Sequence, residues 1–98
     1  MNIQITLPQN GTTVTPSFSV NGAAPGKGIA KVKGNLRQNG QVVLTADDLA
    51  TLGTNGSYTL HFTDAGGGMY KLRVEDNGNP SVFKEIDITV AAANGGGN

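Results

Sequence analysis

Apolar and polar residues alternate with a period of two along most of this chain. Ile3, Ile5 and Leu7 alternate with Asn2, Gln4 and Thr6, which predicts a first strand carrying three aliphatics on one face, since successive side chains of an extended chain point to opposite sides. Pro8 to Gly11 ends it, and residues 12–14 are expected to continue as a short edge segment before Pro16. Phe18 and Val20, alternating with Ser17, Ser19 and Asn21, make a second strand. From Ile29 to Arg37 the inward set reads Ala30, Val32, Gly34 and Leu36, leaving Lys31, Lys33, Asn35 and Arg37 to face water. Gln41 to Leu44 follows as its hairpin partner. Tyr58, Leu60 and Phe62 line the next strand. Tyr70, Leu72 and Val74 line another, with Lys71, Arg73 and Glu75 opposite, and the last runs from Val82 to Val90 on Ile86, Ile88 and Val90. Phe83 is out of step with that aliphatic series, so it is either exposed or next to a bulge near Lys84.

Six Asn-Gly pairs, starting at residues 10, 21, 39, 55, 77 and 94, punctuate these runs. Asn and Gly reach positive φ cheaply, and a two-residue reversal between twisted strands needs it; Asn39-Gly40 is the strongest such hairpin signal. The stretch from Ala23 to Gly28 is too rich in Pro and Gly to be regular. Residues 46–52 are the one expected departure from β structure: a helical turn capped by Thr45, with Asp47 and Asp48 near its positive end and Leu49 and Leu52 over the core. About seven strands at this spacing predict an all-β sandwich of two layers, whose core should bring Val32, Leu72 and Ile88 together.

Ninety-eight residues suit one domain, residues 1–90, followed by a small-residue tail at 91–98 with nothing to bury. Charged residues are only 14% of the chain, and seven cations balance seven anions, so no net field favours nucleic acid. Cysteine is absent, which excludes disulfides, thiolate metal sites and thiol nucleophiles. No apolar run approaches the ~20 residues of a membrane-spanning helix. The Met1 end lacks the basic-then-apolar order of a secretion signal. Taken as a natural start, it implies synthesis in a cytoplasm without export by the usual route; taken as an addition to an excised module, it implies nothing.

The run Gly68-Met69-Tyr70-Lys71-Leu72-Arg73-Val74 resembles the tyrosine corner that opens strand F of immunoglobulin-like domains. Leu72 falls where antibody domains carry their second cysteine. Residues 5–14 and 18–26 look like the A and B strands of bacterial immunoglobulin-like modules. The resemblance covers roughly residues 3–90 and departs from the antibody pattern in having no strand-C tryptophan and no cysteine pair. It implies a seven-stranded Greek-key sandwich. Such modules stud bacterial adhesins, secreted polysaccharide-degrading enzymes and phage virion proteins. The expected role is therefore a non-enzymatic, displayed module. The first setting is decoration or attachment on a phage capsid or tail, at the virion surface. The second is a spacer or weakly binding repeat of an adhesin or multi-domain glycan-active enzyme, outside the cell or on its surface.

Candidate chemistry is sparse. His61 falls on the face opposite Tyr58, Leu60 and Phe62, with no partner close in sequence, and reads as an exposed strand histidine. Asp47, Asp48, Asp64, Glu75 and Asp76 lie in loops or at strand ends without the alternating acids and glycine of a calcium loop, so turn and capping duties explain them. Gly66-Gly67-Gly68 lacks the Lys-Ser/Thr and helix of a phosphate cradle and reads as a turn. No Gly-x-Ser-x-Gly occurs. No catalytic residue, cofactor or metal site is expected.

The basic residues form the sharper pattern. If the resemblance holds, residues 29–37 form strand C and 69–75 strand F of one sheet, and Lys31, Lys33, Arg37, Lys71 and Arg73 share its outer face. That face could receive an acidic glycan, a phosphate-bearing polymer or an acidic protein patch, although Glu85 and Asp87 on the last strand stand ready to neutralise part of it. Sugar stacking is poorly provided for, because Tyr58 and Tyr70 point inward and leave only Phe83. Self-association is expected at the strand edges formed by residues 12–14 and 82–84, unless Pro16 and Lys84 prevent it.

Overall fold

The computed structural model describes residues 3–24, 30–53 and 56–92. These form nine strands and no helix: β1 (Gln4–Leu7), β2 (Thr12–Val14), β3 (Phe18–Ala23), β4 (Lys31–Gln38), β5 (Gln41–Thr45), β6 (Ala50–Thr51), β7 (Ser57–Phe62), β8 (Gly68–Asp76) and β9 (Asn79–Val90). A three-stranded sheet in the order β1-β3-β7 faces a six-stranded one in the order β2-β9-β8-β4-β5, with β6 added beside β4. The chain crosses between layers after β1, after β2 and after β3, so sheet neighbours are mostly distant in sequence. All pairings are antiparallel except β2 with β9, where Thr12 to Val14 run alongside Ile88 to Val90.

The period-two reading locates the core. Val20, Leu60 and Phe62 from the small sheet meet Val32, Leu36, Leu72, Val74, Ile88 and Val90 from the large one, and all are essentially removed from water. The Phe18 and Phe62 rings stack at 5.1 Å. Asn39-Gly40 makes the expected hairpin, with both residues at positive φ (54° and 79°), the combination a type I′ turn needs. Asn77-Gly78 turns β8 into β9, whereas Asn21-Gly22 lies inside β3. The 25–29 part of the Pro/Gly loop, Asn55, and residues 93–98 of the tail with its Asn-Gly pair lie outside the described residues.

Several expectations are corrected. Residues 46–52 form no helical turn. They run extended along the seam between the sheets and donate alternately to each: Ala46 N to Gly34 O, Asp47 N to His61 O, Leu52 N to Ala30 O and Gly53 N to Ser57 O, with Ala50 and Thr51 paired to Val32 and Lys31. A helical turn here would have left the edges of β4 and β7 unsatisfied, and the strap supplies both. Leu52 packs on the core while Leu49 stays exposed. Nine described strands replace the expected seven because this strap contributes β6 and because residues 12–14 join the sheet opposite to β1. Leu7 is half-exposed, since the register shifts between Ile5 and Leu7. Ala30 precedes β4 and is exposed, and Asn35 is buried although its parity points it outward. Phe83 lies on the outer face, and the irregularity opposite Glu75 and Asp76 falls between Asn79 and Phe83, just before Lys84.

The described chain enters and leaves at opposite poles of the long axis. Ile3 sits beside Ser81 to Lys84 near the start of β9. Ala91, past its end, donates to Val14 O. The intervening strand spans most of a body measuring 46 × 25 × 21 Å.

Candidate functional site

The outer face of the six-stranded sheet gathers most of the charge. On β4, burial of Val32, Gly34 and Leu36 turns Lys33, Asn35 and Arg37 outward; on β8, burial of Leu72 and Val74 does the same for Lys71, Arg73 and Glu75. Antiparallel register then aligns three rows across β4, β8 and β9: Lys33, Glu75 and Phe83; Asn35, Arg73 and Glu85; Arg37, Lys71 and Asp87. The sequence-predicted cations Lys33, Arg37, Lys71 and Arg73 thus come together. Lys31 lies on the same face at the end of β4, exposed and in register with Thr51, and among the described residues it makes no ion pair.

This is a knit face rather than an open basic patch. Glu75, only 4% exposed, lies among Lys33 (3.6 Å), Arg37 (3.9 Å) and Arg73 (3.4 Å). Arg73 also holds Glu85 at 2.8 Å and lays its guanidinium over the Phe83 ring, 3.8 Å from the centroid. Arg37 Nε donates to Asn35 Oδ1, which accounts for the burial of that amide. Lys71 pairs with Asp87 at 2.7 Å; the hydrogen bond and the charge of Asp87 push the Lys71 pKa up. Four clustered cations therefore face three acids, an excess of one. Parity reveals the cations. It does not reveal Glu75 as their hub, because that depends on which residues lie opposite one another on strands distant in sequence.

Glu75→Gln keeps the shape of the side chain and removes its charge, leaving three part-buried cations without their common acid. We expect a loss of about 2 kcal/mol, below the ~3–5 kcal/mol of a fully buried pair because the cations keep some solvent. Urea titration of the variant measures it. An unchanged midpoint would mean that the hub contributes nothing.

Elsewhere the candidates take structural duties. His61 faces outward from the small sheet, where its Nδ1 and the Ser19 Oγ lie 3.0 Å apart, a neighbour set by β3–β7 register and unreadable in the local sequence. Asp47 Oδ2 accepts from Thr63 Oγ1 (2.6 Å), and Asp76 Oδ1 accepts from Gly78 N (2.9 Å), a turn bond. Among the described residues no three of His, Cys, Asp or Glu gather in a metal-holding group. Gly66 to Gly68 connect β7 to β8, and the Tyr70 hydroxyl returns to donate to Gly66 O at 2.6 Å.

No protein-family model and no curated protein matches the chain. Solved structures do match. Part of the endo-beta-1,4-mannanase from Thermotoga petrophila superposes with a TM-score of 0.67 and 13% identity, covering 93% of this chain and 20% of that one. The likeness is one of fold. Part of an engineered protein superposes with a TM-score of 0.59 at 21% identity, again over 93% of this chain and 20% of the other. The chain thus spans about one fifth of the length of either.

Proposed function

We propose that this chain is a non-enzymatic, surface-displayed immunoglobulin-like module that works in line, as a spacer or weakly binding repeat, within a larger attachment structure. The observation that carries the reading is the placement of the described ends at opposite poles of the long axis, which lets one module hand the chain to the next without doubling back. The immunoglobulin-like assignment is supported by the Tyr70 bond to Gly66 O, the hydrogen bond a tyrosine corner makes. It is supported too by the division into β1-β3-β7 and β2-β9-β8-β4-β5, with the opening strands shared between layers. Two solved structures in which this fold makes up about a fifth of the chain suit a module of a multi-domain protein, a secreted glycan-active enzyme among them.

A second reading, decoration of a phage capsid or tail, is favoured by the free edge of β5, where a sandwich could join a repeating surface. In either setting, contact with an acidic partner through the charged face falls chiefly to Lys31 and the one clustered cation in excess. The test is to place residues 1–98 between two fluorescent domains and measure energy transfer. A narrow distance distribution, lengthened on the order of the 46 Å axis, is expected. A separation no larger than the width of the body, or turnover of β-glycan by the isolated chain that His61→Ala abolishes, overturns the proposal. Attachment to purified capsids would select the second setting.

A further inference from the structure

The strand edges of this sandwich are not equally protected. The edge of β7 receives Asp47 N and Gly53 N from the seam strap. That of β9 is covered at its end by β2, and just before that Asp87 is bracketed, its carbonyl accepting from Gly11 N and its N–H donating to the Asn10 side chain. The rest of the β9 edge carries Lys84 beside an irregular stretch. β2 has three residues and runs on to Pro16, and β1 stops at Pro8, which has no N–H to offer. Caps, charge, bulges and proline are the usual means of keeping an edge from pairing with another chain.

β5 differs. Gln41-Val42-Val43-Leu44-Thr45 contains no charged residue, is rich in β-branched side chains and pairs on one side only, with β4. Among the described residues no backbone bond reaches its other side. Val42 and Val43 are 48% and 50% exposed. The shift between Leu36 and Arg37 opposite Leu44 and Val42 leaves Val43 as the extra residue of a bulge.

We infer that the free edge of β5 is a self-association surface, onto which a second copy of this chain adds its own β5 antiparallel. A second copy is the occupant because a twofold axis sets like against like. Axes through the β9 edge near Lys84 bring lysine toward lysine, which is unfavourable, whereas an axis near Val43 opposes valine to valine and Gln41 to Thr45 of the second copy. The chain as a whole carries no net charge, so two copies approach without long-range repulsion. The joined sheets would run continuously from one molecule into the other. With only five residues in contact the dimer is weak, in about the micromolar-to-millimolar range expected of a small interface. The inference goes beyond the proposed module role and does not depend on the setting.

Sedimentation equilibrium of the whole chain, combined with single-cysteine cross-linking in this cysteine-free background, tests it. We expect concentration-dependent dimerisation, weakened by at least about tenfold in Val43→Lys, where lysines would oppose each other, and unaffected by Phe83→Lys. Val43→Cys should form a disulfide-linked dimer under mild oxidation, with Phe83→Cys and Ser19→Cys remaining monomeric. A monomer at every concentration up to about 1 mM, the weak end of that range, overturns the inference. So does a dimer that Phe83→Lys disperses and Val43→Lys does not, or cross-linking at residue 83 in preference to 43.

Discussion

Phe62→Ala is expected to cost about 3–5 kcal/mol, the usual range for deleting a buried phenyl ring from a packed core. The ring is 1% exposed, stacks on Phe18 at 5.1 Å and lies under Gly34 of the facing sheet. Gly34 leaves room for it, because a Cβ at that position would sit 3.2 Å from the Phe62 ring and 2.9 Å from Leu60. The void left by alanine is therefore bounded by two sheets that cannot both move in. For a domain whose whole stability falls in the ~5–15 kcal/mol range, such a loss lowers the urea midpoint by roughly 2–3 M at the m-values of small domains. Phe83→Ala is the control. Its ring lies outside, on the Arg73 guanidinium, and its removal should cost no more than about 1 kcal/mol. Equal losses in the two variants would mean that the inward and outward series have been assigned to the wrong faces.

What could be read from the chain alone follows from the range of the interactions involved. The alternation of Val32, Gly34 and Leu36, or of Ile86, Ile88 and Val90, is written in neighbouring residues, and burial follows it directly. The Asn39-Gly40 turn is just as local. Residues 46–52 carried equally local signals, a threonine before two acids and leucines three apart, and those pointed to a helical turn. They were overridden because the edges of β4 and β7, remote in sequence, offered bonding partners to an extended strap. The charged face divides in the same way. Its cations were legible by parity. The burial of Asn35 and Glu75 on that same face was not, since it arises from long side chains reaching across from β8 and β9. His61 meeting Ser19 is a third case of cross-strand register deciding a contact.

Gly22→Ala should be the most damaging small substitution in the chain, and its sign is the reverse of the ordinary one. In a strand, replacing glycine by alanine normally gains about 0.5–1 kcal/mol through the unfolded state. Here Gly22 lies between Ile5 of β1 and Tyr58 of β7, and a Cβ would run into the Gln4 carbonyl and the Tyr58 hydroxyl. Those two groups are themselves joined, the hydroxyl donating to Gln4 O at 2.7 Å, so neither can give way without breaking the bond that anchors β1. The expected loss is at least about 3 kcal/mol, combining overpacking with a broken buried hydrogen bond. Gly40→Ala, in an open turn with nothing within 4 Å of the new methyl, should cost only the ~1–2 kcal/mol of a left-handed residue. Burial pushes the Tyr58 pKa up from its ordinary 10.0. Because the neutral phenol is the form the fold favours, that stabilisation is complete below about pH 10 and drains away as pH rises further. Spectrophotometric titration of the tyrosines therefore separates a local from a global failure. In Gly22→Ala with β1 detached, Tyr58 ionises close to pH 10 while amide protection in β8 and β9 persists. An unshifted titration with full β1 protection would show that the close packing of β1, β3 and β7 at Gly22 is not what holds the first strand in place.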